Sequence, residues 1–143
     1  MANELTANDM MTAYALDAVD HAKNAFQREL DFSVDSVRQV EEILSAMHDT
    51  MPRGVLSKFL RRGPSKEAVW SFSKMYGGYV GEVLRRTAGG EWFFDEDIIP
   101  GQRSVALRKG DQRIWPPFKV GKRLTTGADD NVWHYFQAVA NEW

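Results

Sequence analysis

Residues 75–92 read MYGGYVGEVLRRTAGGEW, and the fold turns on how its glycines are read. Val69, Phe72, Tyr76, Val80, Val83 and Leu84 recur at three- and four-residue spacing, which predicts a long helix with one apolar face. Gly77, Gly78 and Gly81 are set into it. Each helical glycine costs roughly 1 kcal/mol relative to Ala, about 3 kcal/mol for the three. At about 100° per residue they fall in one arc beside the apolar face, a bare strip flanked by Trp70, Lys74 and Arg85 and bordered by Glu82. Something must approach that backbone closely. It is either another helix or the sheet, making the strip a packing seam, or a partner segment or anionic group, making it a groove with Lys74, Glu82 and Arg85 as its polar groups. A phosphate loop does not fit, because GGYVGEV lacks the GxxxxGK[ST] spacing and lies within the helix rather than before it.

Gly89 and Gly90 supply a left-handed helix end, and beyond them the apolar period changes from 3.6 to 2. EWFFDE, RSVALRK and QRIWP predict three short strands, the last two joined by a tight turn around Gly110. Pro116 and Pro117 stop the third strand, and 118–127, FKVGKRLTTG, reads as a basic connector. Asp129 or Asp130 is expected to open a last helix carrying Val132, Tyr135, Phe136, Val139 and Trp143.

Upstream, Met11, Ala15, Ala18, Ala22, Phe26 and Leu30 predict a helix from about Asp9, its expected cap, to Leu30. A second helix starts at Ser33, with Phe32 and Val37 as a hydrophobic staple. Its stripe runs Val37, Val40, Leu44, Met47, Met51, and Pro52 and Gly54 end it. Residues 55–64 fit a short helix or an ordered loop, and Ser65 is placed to cap the glycine-bearing helix. The whole predicts one α+β domain over residues 1–143: an N-terminal helical hairpin and the central glycine-bearing helix packed on a small antiparallel three-stranded sheet, closed by a C-terminal helix.

Composition narrows the function. The chain has 143 residues, 43% hydrophobic and 27% charged, a globular balance. With no cysteine it holds no disulfide, thiolate metal site or cysteine nucleophile. No run of 18 apolar residues predicts a membrane span, and the acidic N-terminus does not read as a secretory signal, so a cytoplasmic protein is expected. Charge is unevenly spread: residues 1–49 hold ten acids and three bases, and residues 98–127 seven bases and one acid. The two regions either neutralise each other within the fold or face a charged partner.

No catalytic constellation is assembled. Glu82, with Arg86 one turn later, has the form of a helix ion pair. His21, His48 and His134 lie on three different helices without ligand spacing, and Asp95, Glu96 and Asp97 lack the pattern of a calcium loop. Neither a metal nor a cofactor is expected. The basic segment from Arg103 to Arg123, interleaved with Trp115 and Phe118, has the composition of a single-strand nucleic-acid surface, which the acidic N-terminal half opposes.

LDFSVDSVRQVEEIL at 30–44, YGGYVGEVLRR at 76–86, GGEW at 89–92, the strand pair and WPPFKVGKRLTTGADDNVWHYF at 115–136 occur in this order. Together they resemble a loose group of small bacterial cytosolic domains of unknown function, which share a GxYxGEV…GGxW core followed by a P…KR…G region. The resemblance covers roughly residues 30–136. It implies a shared core of Gly78, Gly81, Glu82, Gly90 and Trp92, a later block of Pro117, Lys122 and Arg123, and no catalytic residue. Some members look like immunity proteins that neutralise toxins. The expected function is a non-enzymatic protein-binding domain, an immunity-type inhibitor of a toxin, with Lys74, Glu82, Arg85, Lys119, Lys122 and Arg123 as binding residues. A small-ligand binder or enzyme using the glycine strip is the alternative, and a nucleic-acid accessory protein the third.

Overall fold

The computed structural model describes residues 6–50 and 66–143. Among them α1 (Ala7–Phe26), α2 (Ser36–Thr50) and α3 (Lys66–Ala88) precede the sheet of β1 (Glu91–Asp95), β2 (Ser104–Lys109) and β3 (Gln112–Ile114). Then come α4 (Pro116–Thr125), a 3-10 turn at Ala128–Asp130 and α5 (Val132–Glu142). The fold is α+β, with the sheet in antiparallel order β1-β2-β3. The expectations for residues 51–65, namely Met51 in the stripe, the stop at Pro52 and Gly54, the helix or loop at 55–64 and the Ser65 cap, lie outside the described residues.

The glycine-bearing helix α3 is the central element, and Tyr76, Tyr79, Val80, Val83 and Leu84 are its buried face. Each glycine of the strip answers a different neighbour. A Cβ on Gly77 would lie 2.5 Å from Pro117 Cα, one on Gly78 3.1 Å from the Met11 carbonyl oxygen, and one on Gly81 2.2 Å from the Trp92 ring. The strip is therefore a packing seam, closed by α4, α1 and the indole of β1, and it leaves no groove. The opposite wall is small as well: α1 buries Ala15, Ala18 and Ala22, so the two backbones come close.

The first two helices, expected as an antiparallel pair, divide their packing instead: α1 lies chiefly along α3, and α2 against α4 and α5. The physical reason is size. The alanine stripe of α1 suits the glycines of α3, whereas Val37, Val40, Ile43 and Leu44 of α2 are large enough to fill the layer beneath α4 and α5. Between them the chain turns through two left-handed residues, Gln27 (φ 54°) and Phe32 (φ 62°). Such a conformation is costly for a bulky residue, and contacts to α3 hold Phe32 there: its N–H donates to the Tyr79 hydroxyl at 2.8 Å, and the two rings lie 4.7 Å apart.

Three helix starts are corrected. Thr6, not Asp9, caps α1, its hydroxyl accepting from the Asp9 N–H at 3.0 Å, and that helix ends at Phe26 rather than Leu30. Asn131, not Asp129 or Asp130, caps α5 by accepting from the His134 N–H at 2.9 Å. The basic connector is a helix, α4. Pro116 and Pro117 open it, where a missing N–H costs nothing, and Pro117, Val120 and Leu124 are its buried stripe. Ser33 does serve α2, accepting from the Ser36 N–H at 3.2 Å. The β2–β3 hairpin turns at Gly110, φ 59°, with Lys109 opposite Gln112. No described helix is long and apolar enough to cross a membrane.

Candidate functional site

The charged residues on the glycine helix do not form one site. Glu82 is fully buried. Its carboxylate accepts from Arg85 Nε at 2.8 Å and Nη2 at 3.1 Å, from Arg86 Nε at 3.0 Å and from the Trp92 indole N–H at 2.9 Å. Burial raises its pKa, but the hydrogen bonds from Arg85, Trp92 and Arg86 outweigh that and leave it below the ordinary value. A carboxylate so saturated is held ionised and has no lone pair free for proton transfer. Arg85 is taken up in the same cluster. The two arginines close the last turn of α3, where the helix dipole favours positive charge.

Arg123 is committed to an internal carboxylate through Nε and Nη2, although its buried Nη1 meets no hydrogen-bond partner among the described residues. Only 3% exposed, it reaches back to Glu41 of α2, Nε lying 3.0 Å from both carboxylate oxygens, and Glu41 also accepts from the Val132 N–H at 2.9 Å. One acid of the negative N-terminal region thus ties α2, α4 and the start of α5 together. His48 bonds the Leu124 carbonyl at 2.7 Å, so its Nδ1 carries the proton. His21 Nδ1 lies 2.7 Å from the Tyr76 hydroxyl. Among the described residues no group of three side chains could hold a metal ion.

Much of the remaining basic segment is paired internally. Arg108 bonds Glu91, Arg113 faces Asp95 and Asp97, and Lys119 bonds Asp130 at 3.1 Å. Lys109 donates to the Ala88 carbonyl at the end of α3. A continuous cationic track along the segment is thereby neutralised.

Lys74 and Arg103 are different: neither meets a carboxylate among the described residues. Both line a groove of about 210 Å³ between α1, α3, the start of β2 and α4, walled by Met10, Tyr14, Trp70 and Phe118 and with no acid among the described residues that line it. The Lys74 ammonium stands 5.5 Å from the Tyr14 ring and 5.8 Å from the Trp70 ring. The Arg103 guanidinium lies 4.0 Å over Phe94. Trp70 is 42% exposed and packs on Phe118 with ring centres 5.5 Å apart. A Trp, the residue type most enriched at binding hot spots, is thus left open beside two cations that meet no carboxylate among the described residues.

Across Phe118 a second hollow of about 340 Å³ is lined by Trp115, Lys119, Lys122 and Tyr135. Burial pushes the Tyr135 phenol up to about 12, and Lys119 sits 5.5 Å over its ring. Of the six residues expected to bind, Lys74, Lys119 and Lys122 therefore gather around Phe118, while Glu82 and Arg123 are buried struts and Arg85, partly exposed, is held by Glu82. Sequence reasoning missed Tyr14 and, as a groove residue, Arg103. The available signal was the Trp70–Lys74 pair, one helical turn apart, but its third wall comes from α1, 56 residues earlier.

Comparison with known proteins finds no match: no family model, no curated protein and no solved structure is similar to the chain.

Proposed function

We propose that this chain is a non-enzymatic protein-binding domain of the bacterial cytoplasm. It holds an acidic segment of another protein on the aromatic and cationic surface around Phe118, as an immunity-type inhibitor would hold a toxin. The observation that carries this reading is the pair Lys74 and Arg103, which meet no carboxylate among the described residues and stand beside an exposed Trp70. Charge complementarity then favours an anionic partner. The enzyme alternative loses its support, because the glycine strip is covered and Glu82 is saturated. The nucleic-acid reading is weakened by the internal pairing of Arg108, Arg113, Lys119 and Arg123, since strand binding draws on many phosphate contacts.

A photo-cross-linking residue in place of the exposed Gln102, next to Arg103 and outside the groove lining, expressed in the native cell, tests it. One protein should be captured through an acidic segment, and the capture should be lost when Lys74→Glu and Arg103→Glu are combined. Cross-linking only to nucleic acid, or no protein capture while the purified chain turns over a small molecule, would overturn the reading.

A further inference from the structure

Resting on that reading, we infer that the groove between α1, α3 and α4 receives one aromatic side chain of the partner, flanked by carboxylates that pair with Lys74 and Arg103. Three observations converge on this. At about 210 Å³ the groove falls short of the roughly 300 Å³ at which pockets for drug-sized molecules begin, and it is of the scale of a single large side chain. Its walls suit a ring: Trp70 and Phe118 form one tilted pair, Tyr14 faces them, and Met10 and Met11 supply polarisable sulfur that adapts to an aromatic edge.

The cations bracket those walls from different elements. Lys74 projects from α3 between two rings, and Arg103 stands at the entry to β2. Arg103, its guanidinium carbon 4.0 Å from the Phe94 ring centre, makes no ion pair among the described residues and offers a forked donor set to a carboxylate, and Lys74 acts as a point charge. A phosphodiester strand would need cations continuing past Phe118. There Lys119 is already held by Asp130 and Arg113 by Asp95 and Asp97, which leaves Lys122 as the cation of that hollow without an ion pair among the described residues, too few for a strand that draws on many phosphate contacts. Two cations that bracket one ring-sized hollow and meet no carboxylate among the described residues match a short acidic segment with a single aromatic anchor.

The probe is a fluorescein-labelled synthetic peptide, Gly-Asp-Glu-Phe-Glu-Asp-Gly, titrated with the full chain and followed by anisotropy. Replacing its Phe by Ala is expected to weaken binding about tenfold, and so is Lys74→Glu or Trp70→Ala in the protein. Trp70 and Lys74 are partly or fully exposed, so both variants should melt as the parent does, which separates lost binding from lost fold. Equal binding of the Phe and Ala peptides would overturn the aromatic anchor. So would equal displacement of the peptide by an uncharged-residue analogue or by a single-stranded oligonucleotide. If position 102 still cross-links an acidic protein segment in cells while the peptide fails to bind, the anchor is wrong and the partner reading stands. If no protein is captured either, both fall.

Discussion

The buried carboxylates and the groove cations handle charge in opposite ways. Glu82 and Glu41 lie inside the protein and gather four and three hydrogen bonds from arginines, an indole and a backbone N–H. Lys74 and Arg103 lie at the surface and gather only ring faces. The first pattern is what burial demands, since an ion removed from water must be paired and fully bonded. The second leaves binding capacity unused. Charge that is saturated builds the fold, and charge that is not is available to a partner.

Breaking the saturated side should have the largest effect. Glu41→Ala would strand the buried Arg123 guanidinium and the Val132 N–H, and a destabilisation of about 3–5 kcal/mol is expected in urea unfolding. Exchanging both partners, Glu41→Leu with Arg123→Met, should recover the part of that loss due to the stranded guanidinium, because no uncompensated charge then remains, while the Val132 N–H stays without its acceptor. If the double variant is as unstable as the single, the pair is not the strut that the geometry describes.

The seam that carries these struts is next. Gly77→Ala places a Cβ 2.5 Å from Pro117 Cα, a backbone atom that cannot swing away as a side-chain tip would. Overpacking of this kind costs about 1–3 kcal/mol. A melt within error of the parent would mean that the start of α4 is free to retreat from α3.

The seam and the struts differ in how far the sequence discloses them. The glycine arc is local: helical spacing alone sets Gly77, Gly78 and Gly81 side by side, and the switch to period 2 after Gly90 marks the sheet. The start of α4 was hidden because Pro116 satisfies two rules at once, ending a strand and opening a helix. Its stripe of Pro117, Val120 and Leu124 was the deciding signal. The Glu41–Arg123 pair spans 82 residues, and no local pattern encodes such a contact. Its trace is an acid placed one turn after Val37 on the apolar face of α2, where a solvated acid has no reason to be. The groove is less legible still, because its walls come from four separate elements.

Acid should dissect the saturated side in two stages. His21 is held below its ordinary 6.5 by burial, so the unfolded chain takes up its proton first and stability begins to fall as pH drops below about 6.5. Glu82, held below 4.5, contributes fully above that value and loses its contribution as pH falls through its folded pKa. Urea midpoints measured from pH 8 to pH 3 should show both slopes, and Glu82→Gln should flatten only the lower one. If Glu82→Gln leaves the lower slope intact, other carboxylates carry the acid lability.

The smallest expected effect on stability is the sharpest test of the contrast. Lys74 touches only the faces of Tyr14 and Trp70, contacts worth about 0.5–1 kcal/mol at an exposed site. Lys74→Ala should therefore shift the urea midpoint little, against the large loss from Glu41→Ala. A large destabilisation would place Lys74 among the struts, and the distinction between saturated and available charge would fail at the residue that defines it.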